Sequence, residues 1–126
     1  MRSSQASRAD EPSEEVVATR ISVAEVKEIL DAGEPFILLD VRTEEEFDWV
    51  RVPRAVLLPY DEIEERAGAE LPDKQARIVV YCQTGRRSAL AAEILVGLGY
   101  RHVYDMGGII EWPFEVEGEF EPLDDF

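Results

Sequence analysis

The 126-residue chain is short of almost everything that staples or anchors a protein by covalent or hydrophobic means. It has one cysteine, Cys82, so no internal disulfide can form. The same count excludes Cys-x-x-Cys metal and redox motifs. It has one histidine, His102. A metal site needs several convergent ligands, and one Cys with one His do not supply them, so neither a metal nor an organic cofactor is expected. No apolar run approaches the length of a membrane span. The first fifteen residues lack the apolar centre of a secretory signal, and a cytoplasmic protein is expected. Positive charge is also scarce: 13 Lys and Arg face 28 Asp and Glu, a formal charge of −15. Such a surface repels nucleic acid and anionic membranes, so neither is expected as a partner.

What remains suits one domain. The hydrophobic fraction is 45%, enough for a single packed core. Residues 1–15 are polar and aperiodic and read as a disordered tail. A domain is expected over 16–114, and 115–126 reads as an acidic, solvated extension. From Glu111 onward seven residues are acidic and none is basic.

Within the domain, apolar runs alternate with amphipathic stretches. Val16 to Ile21 reads as a short first strand. Ser22 with Glu25 is a capping box opening a helix whose apolar face carries Val23, Val26, Ile29 and Leu30, and Gly33 closes it. Phe36 to Leu39 is a continuous apolar run, the pattern of a strand buried on both faces. Thr43 with Glu46 opens a short helix through Trp49. Ala55 to Leu58 reads as a strand, and Asp61 with Glu64 as the start of another helix. Ile78 to Tyr81 is a buried strand that delivers Cys82 at its carboxyl end. Ser88 to Leu98 is a helix capped by Gly99. His102 to Tyr104 is a last strand, and Ile109 to Trp112 a turn of helix. This alternation implies right-handed crossovers and a mostly parallel sheet. Ligands of such sheets sit beyond the carboxyl ends of the strands, where Cys82 stands.

The stretch Cys82-Gln83-Thr84-Gly85-Arg86-Arg87-Ser88 joins that strand to the following helix. A lone cysteine at a strand end is ordinarily an inert core residue. Here its surroundings point the other way. A tight loop curling round the sulfur turns backbone N–H groups toward it. The helix N-terminus adds partial positive charge, and Arg86 and Arg87 add two full charges. All favour a negatively charged sulfur and an anion beside it. Gly85 suits a loop that needs a backbone angle costly for other residues.

These residues resemble the C-x-x-G-x-R-S loop of single-domain rhodaneses. Three more segments match that family in order. Leu39-Asp40-Val41-Arg42 with Glu46-Phe47 is similar to L-D-V-R-x-x-x-E-[FY]. Pro53 to Pro59 is similar to the end of G-H-I-P-G-A-x-x-I-P. Gly99-Tyr100, Val103, Gly107-Gly108-Ile109 and Trp112 are similar to the family's closing pattern. The resemblance runs from about Ile21 to Trp112. It implies an α/β fold, a three-layer α/β/α rhodanese-like domain with a five-stranded parallel sheet. It implies a sulfurtransferase in which Cys82 takes a sulfane sulfur from a small anionic donor such as thiosulfate. The resulting persulfide gives that sulfur to a thiol or cyanide acceptor. A protein donor or acceptor is a further possibility. On this mapping Cys82 and the loop-closing Arg87 are catalytic. Gln83, Thr84, Gly85 and Arg86 bind substrate, and Asp40 and Arg42 are structural supports.

The chain departs from the pattern before and after Pro53. Val50-Arg51 stand where Gly-His is usual, and Arg54 replaces a glycine. Arg51 is expected on the surface, His102 likewise, and Trp49 and Trp112 as packing residues. Two alternative functions follow. One is a partner-loaded persulfide relay or regulatory binding module with little activity on small donors. The other is a phosphatase or arsenate reductase on the same fold. Those enzymes use C-x5-R with a preceding His; this chain has C-x4-R and Tyr81.

Overall fold

The computed structural model describes residues 16–119. The expectation for residues 1–15, and that for 120–126, lies outside them. Five strands form one all-parallel sheet: β1 (Thr19–Arg20), β2 (Ile37–Asp40), β3 (Val56–Leu57), β4 (Arg77–Cys82) and β5 (His102–Gly108), in the order β1-β5-β4-β2-β3. Four α-helices connect them: α1 (Val23–Ala32), α2 (Glu44–Trp49), α3 (Ile63–Glu70) and α4 (Arg86–Gly97). No helix among the described residues is long and apolar enough to cross a membrane.

Continuous apolar runs sit in the strands because both faces of the sheet are covered. Successive side chains of a strand point to opposite faces. Ile78, Val80 and Cys82 therefore enter one core cluster with Ala91, Ala92 and Leu95 of α4 and Ile63 and Ala67 of α3. Val79 and Tyr81 enter the other, with Val26 of α1, Met106 and Trp112. The sheet thus separates two cores, which makes the three layers.

The capping boxes expected at Ser22 and Thr43 form. Each hydroxyl accepts the N–H three residues on, and Glu25 and Glu46 accept the cap residues' N–H groups in return. Gly33 closes α1 at φ 71°. The third start differs. Asp61 caps nothing: a 3-10 turn over Tyr60–Glu62 comes first, and α3 begins at Ile63 without a side-chain cap. The cause is Pro59, whose carbonyl accepts the Glu62 N–H at 2.9 Å. α4 starts at Arg86, two residues before the expected Ser88, because Gly85 at φ 111° turns the chain into the helix at once. β5 runs four residues beyond Tyr104. A bulge opposite Val80/Tyr81 absorbs Met106, and Asp105 Oδ1 accepts the Gly107 N–H at 2.9 Å. Trp112 is buried as expected, whereas Trp49, at the end of the short α2, is 59% exposed.

The acidic extension differs from a solvated tail at its start. Arg51 pairs in antiparallel fashion with Glu117, and Phe114 and Val116 pack against the core beside α1.

Candidate active site

Cys82 ends β4, flanked by β2 and β5. Three residues, Gln83 to Gly85, connect it to α4. Gly85 turns its N–H back to Cys82 Sγ at 3.0 Å. That contact needs the left-handed angle at Gly85, the reason for glycine there. Ser88, buried in the first turn of α4, donates to Gly85 O at 3.1 Å and closes the turn from behind.

The loop rests on the end of β5. Gly108 lies so close that a Cβ there would stand 2.4 Å from Gln83 O and 2.7 Å from Thr84 Cα. Just beyond, the Ile110 N–H donates to Gln83 O at 3.3 Å. Cys82 itself is fully buried, while Thr84 and Arg86 are exposed above it.

Two arginines reach the loop differently. Arg42 is 1% exposed and clamps Asp40, which is fully buried, through Nε and Nη2. Its Nη1 donates to Gln83 Oε1 at 3.0 Å, and its Nη2 to Val50 O. Burial works against the Arg42 cation, but the hydrogen bond and charge of Asp40 outweigh it and raise its pKa. Tyr81, beside Cys82, accepts the Val52 N–H on its hydroxyl, and burial together with Asp40 raises its pKa. Arg87 is tied to a neighbouring helix and stays close enough to Cys82 for a negative sulfur there to favour its cation. Its two terminal nitrogens grip Glu46 of α2 at 2.8 and 2.9 Å. These bonds, aided by the Thr43 cap and opposed by burial, lower the Glu46 carboxyl to about 2.

The structure therefore brings Arg42, from 41 residues away, onto Gln83, and makes Gln83's side chain a tether. Arg86 is left facing solvent. Glu46, legible in the sequence as the Thr43 capping partner and a matching residue of the family segment, also holds Arg87, and Gly108 supports the loop; neither part is stated by the sequence. The signal for Glu46 was its place in the L-D-V-R-x-x-x-E pattern. Arg51, expected on the surface, is half-buried, with its guanidinium 4.7 Å from the centroid of the Phe47 ring. His102 starts β5, at the opposite end of the sheet from Cys82, and is exposed. Arg54 sits at φ 74°, the reason a glycine is usual there.

Comparison with known proteins agrees with this fold. The family profile described as rhodanese-like domain matches residues 22–113. Thiosulfate sulfurtransferase PspE of Escherichia coli is 41% identical over 71 residues, covering 56% of this chain and 68% of that protein. Adenylyltransferase and sulfurtransferase UBA4 of Candida albicans is 34% identical, over 79% of this chain but only 24% of its own length. Among solved structures, a rhodanese with anions from E. coli superposes with a TM-score of 0.61 at 35% identity, covering 66% of this chain and 98% of that one.

Proposed function

The chain belongs to the rhodanese-like domain family, and we propose that it is a sulfurtransferase carrying a sulfane sulfur as a persulfide on Cys82. The observation that carries this is the Gly85 N–H directed at Cys82 Sγ at the start of α4. That donor and the amino end of α4 converge where a negative sulfur would sit, with Arg86 exposed at the mouth above it.

The reaction needs two displacements. The Cys82 thiolate attacks the outer sulfur of thiosulfate, the S–S bond breaks, and sulfite leaves with the electron pair. The acceptor, a thiolate or cyanide, then attacks the outer sulfur of the persulfide. The Cys82 thiolate leaves and is regenerated. In this reading Arg86 is the cation offered to the donor. Arg87, held by Glu46, and Gln83, held by Arg42, fix the loop's shape.

A second reading has one observation in its favour. A protein of charge −15 repels a free dianion at long range and attracts a basic protein that brings its own sulfur. That is the partner-loaded relay or binding module. The phosphatase alternative is disfavoured, because four residues, not five, separate Cys82 from Arg87 and Arg87 faces Glu46. The test is intact mass of the reduced protein before and after thiosulfate, beside Cys82→Ser, then after cyanide. Gain of one sulfur in the parent alone, removed as thiocyanate, is the expected result. No gain with thiosulfate, but a gain from a persulfidated protein donor, would replace the enzyme reading with the relay.

A further inference from the structure

We propose that Glu117, Gly118 and Glu119 are positioning residues for the Cys82 loop, acting through the segment Asp48 to Val52. The three residues lie beyond the 22–113 region that the family profile matches. The proposal rests on the persulfide reading of Cys82.

The contact is built rather than incidental. Arg51 and Glu117 exchange both backbone hydrogen bonds at 2.8 Å, and the Glu119 N–H donates to Asp48 O at 2.8 Å. Gly118 adopts φ 139° and presses on the chain below: a Cβ there would stand 2.3 Å from Trp49 O and 2.8 Å from Val50 Cα. The Arg51 guanidinium lies 3.7 Å from the Glu117 carboxylate. The approach is fixed upstream, where Trp112 Nε1 donates to Glu115 O at 3.0 Å and the Phe114 ring meets Trp112 edge-on at 5.1 Å.

The segment under this strap needs such support. α2 ends at Trp49, and Val50 is already extended, so the Asp48 carbonyl takes no N–H from within the helix. The strap satisfies it. The same short segment supplies two contacts to the sulfur site. Val50 O accepts from Arg42, whose other nitrogen holds Gln83. The Val52 N–H donates to the hydroxyl of Tyr81, the residue before Cys82. Lifting the strap frees Asp48 to Val52, and with it the anchors on both sides of Cys82.

Two full-length variants test this. Gly118→Val drives a side chain into the Trp49 backbone. Glu117→Pro removes the N–H given to Arg51 O and leaves Phe114 and Val116 in place, so it remains informative should Gly118→Val fail to fold. Cys82 is the chain's only cysteine, so its alkylation by iodoacetamide is read directly from intact mass. Well below the unfolding midpoint, both variants should show Arg51 amide exchange accelerated and Cys82 alkylation about three- to tenfold faster. Thiosulfate-dependent kcat should fall by a similar factor, about three- to tenfold, with KM little changed. A strap that merely adds stability would lower the melting temperature and leave both rates alone. Rates within about twofold of the parent in both variants, or an Arg51 amide that stays protected, overturn the proposal. Should the parent itself take no sulfur from thiosulfate, the enzyme reading fails separately, and the alkylation rates still judge the strap.

Discussion

Glu46 and Arg87 are 41 residues apart in sequence and meet through two hydrogen bonds across the gap between α2 and α4. Glu46 also holds the Thr43 N–H at 3.0 Å, so one carboxylate both starts a helix and closes the sulfur loop. Its pKa is lowered to about 2 from an ordinary 4.5, chiefly by the Arg87 hydrogen bond. A depressed carboxyl stabilises the fold at pH values above its unfolded pKa, and that contribution is lost as pH falls through the folded one. The melting temperature should therefore decline between pH 4.5 and about 2 partly on this account. Glu46→Gln should melt lower than the parent at pH 7 and show a shallower decline across that window. Thermal unfolding of both proteins from pH 2 to 7 checks it; parallel curves would mean the pair is too solvated to matter. Arg42 is a different case. Its removal would strand the fully buried Asp40 carboxylate, a cost of about 3–5 kcal/mol for a buried pair broken on one side. The pair therefore holds the loop by being costly to break, not by a large net gain.

At the scale of elements, glycines separate what shapes the loop from what merely fills a helix. Gly108→Ala puts a methyl group 2.4 Å from Gln83 O, a backbone atom that cannot swing aside. The loop must lift, and sulfur loading should fall at least about tenfold even if the protein stays folded, since small misplacements of reacting groups are costly. Gly68, inside α3, meets nothing within 4 Å and keeps a helical backbone. Gly68→Ala should instead raise stability by about 0.5–1 kcal/mol with loading unchanged. Loading rates and denaturant midpoints of the two variants decide it; equal loading would remove Gly108 from the site. These elements also show how far local sequence reaches. β2 and β4 were legible because runs such as Ile78 to Tyr81 must be covered on both faces, and α1 and α2 because capping boxes are local. The place of Cys82 at a strand end was legible because a continuous apolar run ends there and a glycine-bearing loop follows. The start of α3 was not, because the Pro59 carbonyl displaced a plausible Asp61 cap. Nor was the direction of Arg87, since nothing near it in sequence says that Glu46 will stand opposite. Glu117 and Glu119 read as solvated because what their main chain meets is the Asp48 to Arg51 backbone, and backbone pairing leaves no charge pattern in the sequence.

At the scale of the whole molecule, two fields of opposite sign act on an anionic donor. The net charge of −15 repels it from afar, while Arg86 and the amino end of α4 attract it at close range. Salt separates them by distance. Screening length shrinks from roughly 30 Å at 0.01 M salt to roughly 8 Å at 0.15 M, so the diffuse repulsion disappears first. Contacts of a few ångströms with Arg86 are screened much less. The expected result is a thiosulfate kcat/KM that rises severalfold as sodium chloride increases over this range, the reverse of an enzyme steered by a basic surface. Alkylation of Cys82 by neutral iodoacetamide, measured in parallel, should stay flat, because no long-range charge acts on that reagent. Arg86→Gln should lower kcat/KM at every salt concentration and keep the upward slope, since it removes the local attraction and leaves the global repulsion in place. A falling slope in the parent would mean that the short-range cations already govern the donor's approach. The acidic surface would then have to be explained by something other than donor access, and a basic protein that delivers or collects sulfur becomes the partner to test. For such a partner the same physics reverses the sign: its loading of Cys82 should slow as salt rises, so the two donors can be told apart on one salt axis.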